Sequence, residues 1–217
     1  MTSKETGVAR VLNTIGLIVG IVALALQFGL TIPASMEAGR SLIASIIFYF
    51  SFFTILTNLG AVLAHAAALT GWPAAFAHPA MHGGVAVAIS VVALVYWALL
   101  SSIWEPQGLF LLCDVLLHYA TPAIFVLWWL LAGRDGSLSL RHVAVWLLYP
   151  IAYAAYVLVR APIAGEVPYP FLDATISGWT SVFVTIFGIA ILFTMIGILA
   201  LAADRMAARR RTARQRT

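Results

Sequence analysis

Five side chains able to take part in acid–base or nucleophilic chemistry lie inside long apolar runs of this 217-residue chain: Thr54, Asn58, His65, Asp114 and His118. On a helix advancing about 100° per residue, Asn58 stands about 40° round from Thr54 and His65 about 20°, so the three share a face. Asp114 and His118 are one turn apart on another helix. A threonine hydroxyl becomes a nucleophile when an adjacent base takes its proton, and a neutral histidine is such a base. In that arrangement Thr54 attacks, His118 removes its proton, Asp114 orients the imidazole and Asn58 donates a hydrogen bond to a developing oxyanion. A plainer reading makes Thr54, Thr57 and Asn58 inter-helix hydrogen-bonding glue, worth about 0.6 kcal/mol each. Asp114 with His118 resists that reading, because a carboxylate at membrane depth is expensive without a purpose.

The elements that must position these groups are membrane helices. The chain is 63% hydrophobic and 9% charged, with a mean hydropathy of +1.01. A single soluble core could not hide that much apolar surface. Six runs approach the roughly 20 apolar residues a bilayer crossing needs: Val8–Leu30, Ser41–Leu69, His82–Trp104, Leu109–Leu131, His142–Val159 and Gly178–Ala203. Turn formers such as Gly71-Trp72-Pro73 and Glu105-Pro106-Gln107-Gly108 separate them. The alternation of a barrel strand is missing, so the fold expected is all-α, a polytopic bundle of six transmembrane helices forming one domain over residues 1–217. Gly16 and Gly20 form a G-x-x-x-G suited to helix packing, and the first run is longer than a signal-peptide core, so it reads as a permanent span.

Depth selects partners. Helices two and four both start from the same face; Thr54 lies ~16 Å down the one and His118 ~14 Å down the other, at about 1.5 Å per residue. His65 is roughly 16 Å deeper and does not share their site. His65 with His82 is the one pair at a common depth for axial ligation of a haem or metal, and no further ligand accompanies it. Cys113 is the only cysteine, which excludes an internal disulfide and a multi-cysteine zinc site. The expected chemistry needs no cofactor.

Orientation follows from the basic residues. With the N-terminus in the cytoplasm, that side holds Lys4, Arg10, Arg134, Arg141 and six arginines from Arg205 to Arg216, and the opposite side only Arg40 and Arg160. A basic tail over about 204–217 directly after a span reads as an orientation signal touching anionic lipid headgroups, not as a nucleic-acid site. One lysine against eleven arginines suggests a GC-rich bacterial genome, hence a plasma-membrane protein with both termini cytoplasmic. The last external loop, with Pro168, Tyr169, Pro170 and Phe171, is either a lid or access rim over the site or an interfacial anchor. Arg160 or Arg40 at that rim would hold a substrate carboxylate, with Tyr169 and Thr57 as further substrate contacts.

Phe53-Thr54-Ile55-Leu56-Thr57-Asn58, His118 followed within about a turn by Pro122, and Tyr169-Pro170-Phe171-Leu172 before the last helix occur in this order. Together they resemble the androgen-induced and androgen-dependent TFPI-regulating membrane proteins and their prokaryotic six-helix counterparts, over nearly the whole chain. The resemblance implies a threonine hydrolase of fatty acid esters of hydroxy fatty acids, with Thr54 and His118 at the positions of the family's nucleophile and histidine. Thr57 lies in the same motif, which leaves the register of the nucleophile open, and Asp114 stands where the animal members are expected to carry an amide. The expected function is hydrolysis of a lipid carboxylic ester within membrane lipid. The rival is a non-enzymatic membrane protein, a small-solute or proton-linked carrier or a scaffold, in which Asp114 and His118 bind a proton or solute. A helix broken at Pro122 or Pro150 would favour the carrier.

Overall fold

A computed structural model of the protein describes residues 7–214, with side chains through residue 209. Lys4 and Arg216 lie outside the described residues, as do the side chains of Arg210, Arg211 and Arg214. Seven helices follow one another without a strand among the described residues: α1 Gly7–Glu37, α2 Leu42–Phe50, α3 Phe53–Thr70, α4 Pro79–Leu100, α5 Gly108–Gly133, α6 Leu140–Ala164 and α7 Ala174–Arg214. All but α2 are long and apolar enough to cross a membrane, giving six spans. α3 and α4 are the central pair, with 56% of each span buried against 17% for α7. The outer helices turn Ile, Leu, Val and Phe side chains outward, as lipid requires.

The expected second span, Ser41–Leu69, is not one helix. It breaks between α2 and α3 at Ser51 and Phe52, where Phe52 is extended (φ −87°, ψ 128°). No glycine or proline causes this. The Ser51 hydroxyl donates back to the Ile47 carbonyl at 2.6 Å, and the Ser51 carbonyl accepts from the Tyr153 hydroxyl at 2.9 Å. A serine bonding its own backbone competes with the helical ladder, and α6 supplies the donor that lets the break survive in an apolar medium. α2 therefore descends beside α1, where Tyr49 donates to the Leu24 carbonyl at 2.8 Å.

The G-x-x-x-G of α1 packs on α3 as expected. A methyl at Gly20 would come within 2.6 Å of Val62, and one at Gly16 would collide with the His65 ring. The main core lies deeper, where Trp128, Phe125, Ile89 and Phe193 from α5, α4 and α7 are almost fully buried. α7 is kinked at Gly178 (φ 75°, ψ 154°), the residue at which the sixth span was expected to begin. It then runs on as helix to Arg214, so the basic segment is a continuation of the last span rather than a separate tail.

Candidate active site

The break before α3 puts Thr54 in the first turn of a helix. The first N–H groups of a helix have no partner within it, so an apolar bundle must provide one. The Tyr169 hydroxyl does so, accepting the Thr54 N–H at 3.2 Å, and it also lies 3.2 Å from Thr54 Oγ1. Tyr169 is accordingly not a rim residue. It is 8% exposed, set edge-on to Phe52 and stacked on Phe171, and burial pushes its phenol above the ordinary value, which keeps it a donor.

His118 comes from an irregular stretch of α5. Over Leu116–Ala120 the helix opens into a π turn. Pro122 explains it: the residue has no N–H, and in a regular helix its ring would meet the His118 carbonyl. Side chains then take up displaced carbonyls. Thr121 Oγ1 donates to the Leu116 carbonyl at 2.8 Å, and Asn58 Nδ2 donates to the Leu117 carbonyl at 3.1 Å. Such widened turns occur often at functional sites.

At this turn the imidazole of His118 stacks on Tyr96 of α4, with centroids 3.8 Å apart and planes 13° from parallel. Its Nδ1 is 3.1 Å from Asp114 Oδ1 and 3.1 Å from the Asp114 carbonyl. The carbonyl only accepts, so Nδ1 carries the hydrogen. Nε2 is left with its lone pair, 3.4 Å from Thr54 Oγ1. That is the outer limit of hydrogen-bond contact, and catalytic pairs commonly tighten only when substrate binds. The other oxygen of Asp114, Oδ2, accepts the Tyr96 hydroxyl at 2.6 Å. Three helices and a loop thus contribute one continuous chain, Tyr96–Asp114–His118–Thr54–Tyr169.

Several expected site residues fall elsewhere. Asn58 is one turn below Thr54, but both its N–H groups are spent, on the Thr54 and Leu117 carbonyls, so it ties α3 to the π turn and cannot serve an oxyanion. Reversing its amide would set an oxygen against two carbonyl oxygens. Thr57 pairs with the Tyr149 hydroxyl of α6 at 3.0 Å and touches no histidine, which leaves Thr54 as the hydroxyl beside a base. Arg40 and Arg160 do not stand free to receive a carboxylate. Both bond Glu166, Arg160 at 2.8 Å and Arg40 more closely, and only Arg40 borders the cavity beside Thr54. Burial alone would raise the Glu166 carboxyl, but the guanidinium groups of Arg160 and Arg40 outweigh it and hold the group below its ordinary value.

His65 Nδ1 is 2.6 Å from Asn13 Oδ1, its other edge faces Gly16, and Trp128 packs against the imidazoles of His65 and His82. Tyr96 was missed from the sequence, where an aromatic in an apolar run carries no signal of its own.

A cavity of about 520 Å³ opens beside this chain, bordered by Thr54, His118, Asp114 and Tyr169, with Gln27 and Arg40 at its polar end. A second, smaller one touches Thr54 from the other side. The whole is a polytopic membrane bundle whose buried polar residues converge on a threonine–histidine–aspartate array. Compared with known proteins, the chain matches no family, no curated protein and no solved structure.

Proposed function

We propose that the protein is an integral membrane hydrolase that cleaves a lipid carboxylic ester through Thr54. The observation that carries this reading is the Tyr96–Asp114–His118–Thr54 hydrogen-bonded chain at the wall of a cavity large enough for a lipid-sized group. His118 Nε2 takes the Thr54 proton as Oγ1 attacks the ester carbonyl. Asp114 stabilises the imidazolium that forms. The oxyanion develops at the positive end of α3, where the Tyr169 hydroxyl, which accepts the Thr54 N–H, keeps its own hydrogen to donate. The carbon–oxygen bond to the alcohol then breaks, and His118 returns the proton to the leaving oxygen. Water attacks the acyl-threonine with His118 again as base, releasing the acid and restoring the Thr54 hydroxyl. The family resemblance supports the same pair, since its nucleophile and histidine positions are Thr54 and His118.

The ten-to-two distribution of basic residues supports cytoplasmic termini, with the array in the outer half of a plasma membrane. On α7, Arg205 and Arg209 then project toward anionic headgroups of the inner leaflet.

The test is hydrolysis of a labelled branched fatty-acid ester by the purified protein. Thr54→Ala should lower turnover by at least a thousandfold, and equal turnover by wild type and variant removes the mechanism. The break at Ser51–Phe52 favours a second reading, because discontinuous helices are a device of carriers. Proton-coupled uptake into proteoliposomes that survives Thr54→Ala and fails in Asp114→Asn would select the carrier.

A further inference from the structure

Two cavities meet at Thr54, and their walls differ. The larger, about 520 Å³, is bordered by α1, α2, α5 and the Tyr169 loop, and includes Gln27, Thr31, Arg40, Asp114 and His118. The smaller, about 80 Å³, lies between α4, α6 and α7; apart from Thr54, its only polar side chains are tyrosines. Thr54, Tyr96, Leu100 and Tyr169 border both, whereas His118 borders only the larger.

That asymmetry decides which half of an ester goes where. In the first half-reaction the bond between carbonyl carbon and alcohol oxygen breaks, and the proton held on His118 Nε2 passes to that oxygen. The alcohol must therefore lie where His118 can reach it, in the larger cavity. The acyl carbon stays bonded to Thr54 Oγ1, so its chain projects away from His118, toward the smaller cavity. The water of the second half-reaction also needs His118, and it enters through the space the alcohol has left.

We infer, on the reading that Thr54 is the nucleophile, that the crevice between α4, α6 and α7 is the acyl subsite and the large cavity the alcohol subsite. The substrate class is then an ester joining a slim, unbranched acyl chain to a bulkier amphipathic alcohol. A cavity of about 150 Å³ takes up one benzene ring, so the crevice encloses about three carbons next to the carbonyl. Branching there is excluded by Val91, Val92 and Tyr153. Beyond them the crevice runs to Ile151 and Ala190 on the lipid-facing helices α6 and α7, and Ile151 is half exposed. A longer chain continues between those helices into the bilayer, so the acyl half is drawn from lipid laterally.

The test varies the two halves of the ester independently, using acetate and octanoate esters of methanol and of a naphthol with purified protein in detergent. Ala190→Phe narrows the crevice and Ala34→Phe the larger cavity. The expected result is that Ala190→Phe lowers kcat/KM for octanoates at least tenfold more than for acetates, whichever the alcohol. Ala34→Phe should disfavour naphthyl over methyl esters, whichever the acid. The reverse pattern, or an equal fall on all four esters in folded Ala190→Phe and in the milder Ala190→Leu, overturns the assignment. Folding is read from protection of the buried thiol of Cys113. Turnover abolished by Thr54→Ala but lacking the expected preferences sinks the subsites alone. Turnover independent of Thr54, or none at all, sinks the hydrolase reading and the subsites with it.

Discussion

Two aspartates are buried in this bundle, 7% and 1% exposed, and they do opposite things. Asp204, toward the far end of α7, accepts three backbone N–H groups, from Asp135 at 3.0 Å, Gly136 at 2.9 Å and Leu138 at 3.0 Å. It fastens the loop between α5 and α6 to the last helix, and every donor is a fixed piece of main chain. Asp114 is held by the Tyr96 hydroxyl and the His118 ring, both side chains, and one of them changes charge when it takes a proton. Burial and residue type are nearly the same. On the proposed hydrolase mechanism the donors make one carboxylate a lock and the other a working part, because only a donor that can gain or lose a proton couples its carboxylate to chemistry.

The sharpest way to break the comparison is Asp114→Asn. A neutral amide no longer stabilises the imidazolium that forms on His118, and an N–H turned toward Nδ1 competes with the residue-114 carbonyl that fixes the tautomer. Turnover should fall by about 10³–10⁴-fold, about 4–5.5 kcal/mol on the barrier, while thermal stability changes little. The measurement is kcat alongside a melting curve read by a thiol-reactive dye at Cys113, which is buried and the only cysteine. A large loss of stability with proportionate loss of activity would make Asp114 a second lock.

Asp204→Ala should do the converse. Three N–H groups lose their acceptor, at about 1–3 kcal/mol each where water cannot replace it. The loop is near a surface, so we expect about 3 kcal/mol in all, or roughly 6–12 °C in Tm. Turnover at room temperature should stay within about twofold, since the lock and the array sit toward opposite ends of the bundle. An unchanged melting curve would show that the three bonds do not hold the loop.

Much of this was legible in the sequence and some was not. Six spans follow from apolar length alone. Thr54, Asp114 and His118 stand out because polar groups at membrane depth are rare, and helix periodicity aligns the last two. The break at Ser51 is invisible locally, since its cause is a tyrosine about a hundred residues away that takes the serine's carbonyl. Asn58 is misread for a related reason: besides the Thr54 carbonyl of its own helix, its partner is the Leu117 carbonyl, displaced by Pro122 on another helix. Asp204, followed at once by the basic segment, looks like one more surface charge until the loop folds onto it. What escapes a sequence reading in each case is a backbone group that needs a partner and the distant side chain that supplies one.

Tyr96→Phe is a finer probe. It keeps the ring stacked on His118 and removes only the hydrogen bond to Asp114 Oδ2. Hydrogen bonds to charged groups are worth about 1.5–3 kcal/mol, so kcat should fall about 10–100-fold, with KM nearly constant because the bond touches no substrate. A change confined to KM would move Tyr96 out of the array and into the cavity wall.

The smallest effect belongs to a third carboxylate, Glu166, which differs from both aspartates in being partly exposed and bonded by two permanent cations, Arg40 and Arg160. Its side chain is 20% exposed and that of Arg40 31%, so solvent screens the pair and about 0.5–1 kcal/mol is the expected contribution. Because the folded carboxyl is held below its ordinary value, this stability is complete above the unfolded pKa and is lost as pH falls through the folded one. Glu166→Gln should therefore lower Tm by about 2 °C at pH 7. The gap to wild type should close in acid, below the ordinary glutamate range, where wild type loses the same charge. At pH 7 the substitution should not alter kcat by more than about twofold, since the clamp holds the loop bearing Tyr169 but no atom that reacts. A gap that widened in acid would mean that Glu166 is bonded in its neutral form, as a lock like Asp204, and the division between fixed and working carboxylates would have to be redrawn.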